Sequence, residues 1–203
     1  MLRIDHLAVS CGALGEGVAA VEALLGVGVA AGGKHAHMST HNRLVGLGDL
    51  YLEVIAIDPD APAPAWPRWF DLDHFSGAPR LTNWVAGCDD LAGELALSPP
   101  GTGRPVALAR GDFRWQMAVP GDGKLPFGGA FPALIQWEGQ AHPAPRLPDL
   151  GLRLERLTLC HPQADALRAA LHGRMLDARV VVETGPVGLS AVISTPGGAV
   201  VLK

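Results

Sequence analysis

Three times along the chain, a short alternating stretch runs into a helix-spaced apolar stripe and then into further alternating stretches. Such a chain closes a core only by laying each helix across the sheet built from its neighbouring strands, so the expected class is α+β. Ile4 to Val9 opens the pattern, with Ile4, His6 and Ala8 expected on one face and Asp5, Leu7 and Val9 on the other. Leu14, Val18, Val21 and Leu25 then recur at helical spacing, and Gly26 and Gly28 end that helix. Gly32 to His37 reads as a loop, Asn42 to Leu47 as a strand, and Tyr51 to Ile57 as a strand rich in β-branched residues.

A second unit follows a Pro/Ala-rich connector. It has strands at Leu81–Gly87, Val106–Arg110, Phe113–Val119 and Ala133–Trp137, and a short helix capped by Asp89-Asp90. The Gly/Pro-rich segment from Pro120 to Pro132 is a long loop expected to border a site. A third unit starts near Leu154, with Pro162 placed for the first turn of a helix. It continues in strands at Val180–Glu183, Leu189–Ser194 and Ala199–Leu202, the last two joined by a turn at Pro196-Gly197-Gly198. Cys11, Cys88 and Cys160 each fall where a unit's first strand meets its helix, 77 and 72 residues apart, which supports internal duplication. A single domain with units over about residues 1–60, 80–140 and 152–203 is expected.

Composition excludes several functions. With a net charge of -4 and no basic cluster, the 203-residue chain is a poor nucleic-acid binder. No apolar run approaches the roughly 18 residues of a membrane span. The amino terminus carries no secretory apolar segment, and three cysteines cannot all pair with one another, so a reducing cytoplasmic setting is expected. Strand edges make a homodimer compatible with this class.

The residues also carry a family likeness. Ile4-Asp5-His6-Leu7, Gly32-Gly33 with His35, Thr40-His41-Asn42, and Tyr51-Leu52-Glu53 resemble the glyoxalase-like branch of the vicinal oxygen chelate superfamily. Trp84, Arg114-Trp115, Leu134-Ile135 with Trp137, and His142-Pro143 extend the resemblance over nearly the whole chain. It implies βαβββ modules whose curved mixed sheets enclose a cleft, where a divalent metal chelates two neighbouring substrate oxygens.

By that resemblance, His6 and Glu53 are the metal ligands, a pair suited to Zn, Fe, Mn or Ni. Both sit in mid-strand among apolar neighbours, where an ionisable side chain needs a partner; a plain His–Glu hydrogen bond in the cleft wall is the bland alternative. Lining up the second unit with the first puts Asn83 opposite His6 and Gln136 opposite Glu53, weak amide ligands that suit substrate contact better. His41 and His35 are expected to move protons, and Asn42, Trp115 and His142 to touch substrate. Core packing is the default for Trp84, Trp115 and Trp137, and Trp66 and Trp69 are expected to anchor the connector. The expectation is an enzyme of isomerase, lyase or dioxygenase type acting on a small oxygen-bearing molecule. The alternative is a metal-free binding or sequestration protein of the same fold.

Overall fold

Cys11 and Cys88 occupy the same place in two copies of one unit. Each donates its backbone N–H and its thiol to one carbonyl, that of Ile55 for Cys11 and that of Ile135 for Cys88. Burial pushes both thiols up to about 11, so they are inert packing residues and not nucleophiles.

The computed structural model describes Met1–Lys203. The first unit comprises β1 (Arg3–Ser10), α1 (Leu14–Leu25), β2 (Ala30–His35), β3 (Thr40–Gly46) and β4 (Tyr51–Ile57). A connector with a tight helical turn over Trp69–His74 leads to β5 (Arg80–Gly87), α2 (Leu91–Ala96), β6 (Arg104–Arg110), β7 (Phe113–Val119) and β8 (Ala133–Trp137). The third unit comprises β9 (Arg153–His161), α3 (Ala164–Leu171), β10 (Val180–Thr184), β11 (Gly188–Thr195) and β12 (Gly198–Leu202). This is a mixed α+β fold with few helices, none long and apolar enough to cross a membrane.

The first two units share one eight-stranded sheet in the order β2-β3-β4-β1-β5-β8-β7-β6, and the third forms a sheet in the order β10-β9-β11-β12. The large sheet curls until its edges approach, since Arg110 at the end of β6 hydrogen-bonds Asn42 on β3. Its convex face carries Leu7, Val9, Leu52 and Val54, which join Val21 and Leu25 of α1 and the third unit's Leu157 and Leu167 in the main core. Its concave face carries a second apolar cluster that includes Ala8, Ile55, Trp69, Phe70, Trp115 and Ile135.

Two local expectations are corrected. Ala30 to His35 is a strand and not a loop, because pairing with β3 supplies its backbone hydrogen bonds, and a register shift between Ala31 and Lys34 absorbs Gly32-Gly33. The simple alternation of β1 also fails. A register shift between Ile4 and His6 sends Ile4 into the main core with Leu7 and Val9, and brings Asp5 beside His6.

Helix α1 lies close against the sheet at Gly17, where a Cβ would come within 2.4 Å of Cys11 Sγ and 2.7 Å of Val54 Cγ1. The better helix propensity of alanine is worth about 1 kcal/mol, less than the overpacking it would cause. Gly17→Ala is therefore expected to lower stability by about 1–2 kcal/mol net, read as a lower denaturant midpoint.

Candidate functional site

On β4 the side chains of Tyr51, Glu53 and Ile55 face the concave side, while Leu52 and Val54 face the core. Parallel pairing with β1 sets His6 opposite Tyr51, and their rings stack with centroids 4.5 Å apart. His6, His35, Asn42 and Glu53 meet in a cavity of about 30 Å³ walled by Trp69, Trp115 and Trp137. Each of the four polar residues is at most 7 % exposed.

Burial of this many polar groups requires that they satisfy one another. His6 Nδ1 lies 2.6 Å from Asp5 Oδ1, and its Nε2 faces Glu53 Oε2 at 3.6 Å. Burial alone would lower the His6 pKa, but the two carboxylates outweigh it and raise it to about 9. Glu53 is the reciprocal case: burial would raise its pKa, and His6 brings it down to about 2. Asp5 is likewise held well below the carboxylate range against its burial, by His142 and His6. Trp137 Nε1 donates to Asp5 Oδ2 at 2.8 Å. His142 Nδ1 accepts the Ala144 N–H, which leaves its Nε2–H to donate to the same Asp5 oxygen at 3.1 Å.

Asn42 is the hub on the other side. Its Nδ2 donates to Glu53 Oε1 at 2.5 Å, and its Oδ1 accepts from Gly33 N at 2.8 Å and Arg110 Nη1 at 3.0 Å. These bonds fix the amide orientation. His35 is held with Nδ1 3.0 Å from Thr40 Oγ1, and its Nε2 lies 3.3 Å from Arg110 Nη1 and 4.0 Å from Glu53 Oε1. Burial lowers its pKa to about 4, so the ring is neutral, and its Nε2 lone pair faces the Arg110 Nη1 donor.

With this geometry, the comparisons with known proteins are decisive for the family. A model of the glyoxalase-like domain matches residues 4–175. This chain belongs to the glyoxalase-like domain family. Among solved structures, a hypothetical protein from Staphylococcus aureus superposes on this glyoxalase-like domain with a TM-score of 0.62 at 14% identity, covering 96% of this chain and 91% of that one. That likeness is one of fold alone. A methylmalonyl-CoA epimerase from Streptomyces coelicolor gives a TM-score of 0.45 at 16% identity, over 69% of this chain and 96% of that one. The enzyme of the same name from Mycobacterium tuberculosis gives 0.45 at 14% identity, over 68% and 88%. No curated protein sequence matches.

Of the residues expected at the site, the structure brings His6, Glu53, His35, Asn42 and Trp115 to one cavity, with His142 just behind it on Asp5. Three others lie elsewhere. His41 follows Thr40 and precedes Asn42 on one strand, so it takes the face opposite Asn42 and does not line the cavity. Gln136 accepts the Leu91 N–H at the start of α2, on the convex side. Strand register sets Val85 beside Ala133 as it sets Ala8 beside Glu53, so Ala133 and not Gln136 is the counterpart of Glu53. Asn83 does correspond to His6, but it lines a separate cavity of about 320 Å³ with Arg80 and Lys124, and Phe70 borders both cavities.

The sequence reading missed Asp5, Tyr51, Trp69 and Arg110. Trp137 is a cleft wall instead of core, whereas Trp84 is fully buried in the main core. Trp66 lies 45% exposed in the connector, its ring stacked on His37. Asp5 carried a weak signal, as an acidic residue next to His6 within an apolar strand. Arg110 and Trp69 carried none, because only the curl of the sheet and the path of the connector bring them in.

No three or more His, Cys, Asp or Glu side chains are spaced as a ready cage for a metal. The donor chemistry at His6 and Glu53 nonetheless fits a divalent ion. An imidazole whose Nδ1 is held by a carboxylate presents Nε2 toward a second carboxylate, with the neutral His35 Nε2 near the same carboxylate.

Proposed function

We propose that this domain is a metal-dependent enzyme of isomerase, lyase or dioxygenase type, acting on a small molecule with neighbouring oxygens. The single observation that carries the reading is the buried convergence of His6 Nε2 and the Glu53 carboxylate, 3.6 Å apart, in a cavity walled by tryptophan. In this reading His6 and Glu53 hold the ion. A bound divalent ion supplies Lewis acidity toward substrate oxygens. Asp5 orients the His6 ring, Asn42 orients the Glu53 carboxylate, and the indole walls exclude water. The neutral His35 Nε2 is also the group able to take a proton from substrate.

The test is metal analysis of the purified protein beside His6→Gln and Glu53→Gln, which keep side-chain volume. About one metal per chain, lost in both variants, is expected. A protein that takes up no metal under any loading condition would falsify the metal-dependent reading.

A second reading, a metal-free binding protein, is favoured by one observation. The His6 imidazolium lies between the Asp5 and Glu53 carboxylates, so much of the buried charge is already balanced.

A further inference from the structure

The cavity that holds His6 and Glu53 is lined by Arg110 and Trp69, and each keeps a hydrogen-bond donor that no protein group accepts. Arg110 sends only its Nη1 to protein acceptors, Asn42 Oδ1 and His35 Nε2. Its Nε and Nη2 form no hydrogen bond, and no carboxylate is close enough to pair with it. These two nitrogens make one edge of the guanidinium, whose parallel N–H groups match the two oxygens of a carboxylate. Asn42 stands between the nearest carboxylate and the cation, with its Nδ2 on Glu53 and its Oδ1 on Arg110. The Arg110 charge is therefore not consumed from within, and its outer edge is left for something else.

The second donor is the indole N–H of Trp69. This side chain is only 4% exposed, lines the same cavity, and its Nε1 finds no acceptor in the protein. A buried donor without an acceptor carries an uncompensated desolvation cost, which a ligand oxygen would relieve. The backbone is also shaped to admit the arginine. A Cβ at Gly33 would come within 2.7 Å of Arg110 Cδ, so glycine lets the stem lie across the cleft. Trp115 and Trp137, with ring centroids 5.4 Å apart, supply apolar walls of the same cavity.

We propose that the cavity takes a small, flat carboxylic acid. Its carboxylate lies on the Nε–Nη2 edge of Arg110 with help from Trp69 Nε1, and its apolar body lies on Trp115 and Trp137. This deepens the function proposed above and rests on its placement of the substrate beside His6 and Glu53. A ligand of this kind is larger than the 30 Å³ cavity, so its entry requires the walls to part.

Calorimetric titration of the purified protein with benzoylformate and with its methyl ester tests the assignment. The two probes share the ring and the neighbouring oxygens and differ in the negative charge. The acid is expected to bind at least about tenfold more tightly than the ester. Arg110→Gln should abolish the preference for the acid, so that acid and ester bind alike. Trp69→Phe, which keeps a ring and removes the N–H, should weaken the acid several-fold; this arm stands even if Arg110→Gln fails to fold. Equal binding of acid and ester, binding of neither, or equal weakening of both in Arg110→Gln overturns the proposal. Metal content of the same preparations keeps the two readings apart. Metal uptake without preference for the acid sinks only the carboxylate assignment. Preference for the acid in a protein that takes up no metal sinks only the metal.

Discussion

Arg174→Ala is expected to destabilise the fold by about 3 kcal/mol, because it leaves a buried carboxylate with the amino terminus as its one remaining cation. Arg174 and Glu94 are 9% and 8% exposed. Arg174 Nε and Nη2 both meet Glu94 Oε2, and its remaining donors reach the carbonyls of Glu94, Leu97 and Ala170 and the Ser98 hydroxyl. The other Glu94 oxygen accepts from the amino terminus at 2.7 Å. One guanidinium thus ties the last turn of α2 to the segment after α3, and the third unit to the first two. Urea midpoints of parent and variant measure the loss.

The same pair sets a pH dependence. Burial would raise the Glu94 pKa, but the amino terminus and Arg174 outweigh it, so the folded value lies below the ordinary 4.5. A carboxylate depressed on folding stabilises fully above its unfolded pKa, and the contribution is lost as pH falls through the folded value. The stability gap between parent and Arg174→Ala should therefore be constant near neutrality and narrow below pH 4.5. A gap independent of pH would show that the ion pair contributes nothing and that packing accounts for the loss.

The second large effect is expected at His6. His6→Ala removes the cation between Asp5 and Glu53 and should lower stability by about 3 kcal/mol or more. Asp5 keeps the N–H donors of Trp137 and His142, whereas Glu53 keeps only Asn42. Most of the loss therefore arises at Glu53, and adding Glu53→Ala to His6→Ala should recover part of it. A double-mutant cycle reads this directly. Strict additivity of the two substitutions would mean that the His6–Glu53 contact carries no coupling.

Much of the strand pattern was legible because alternation is local. Tyr51–Ile57, Phe113–Val119 and Ala133–Trp137 are strands over the stretches that periodicity marks. The strand at Ala30–His35 was not legible, since glycines argue for a loop and only the partner strand overrides them. The site divides the same way. His6 and Glu53 stood out as ionisable residues inside apolar strands, and both line the cavity. His41 and Asn42 were both expected to serve the cleft, but neighbours on one strand face opposite sides, and Asn42 faces the cavity. The pairing of Gln136 with Glu53 failed because motif likeness does not carry strand register, which the hydrogen-bond ladder sets.

By itself, then, the sequence determined the repeated strand–helix–strands units, the family, and the presence of a histidine and a glutamate where charge is costly. These are matters of local period and local chemistry. Only the tertiary structure decided which groups answer that charge. A register shift in β1 brings Asp5 to His6, the curl of the sheet carries Arg110 over Asn42, and the connector folds Trp69 into the cavity. Each of these meetings depends on where distant backbone segments close on one another, which no local pattern records.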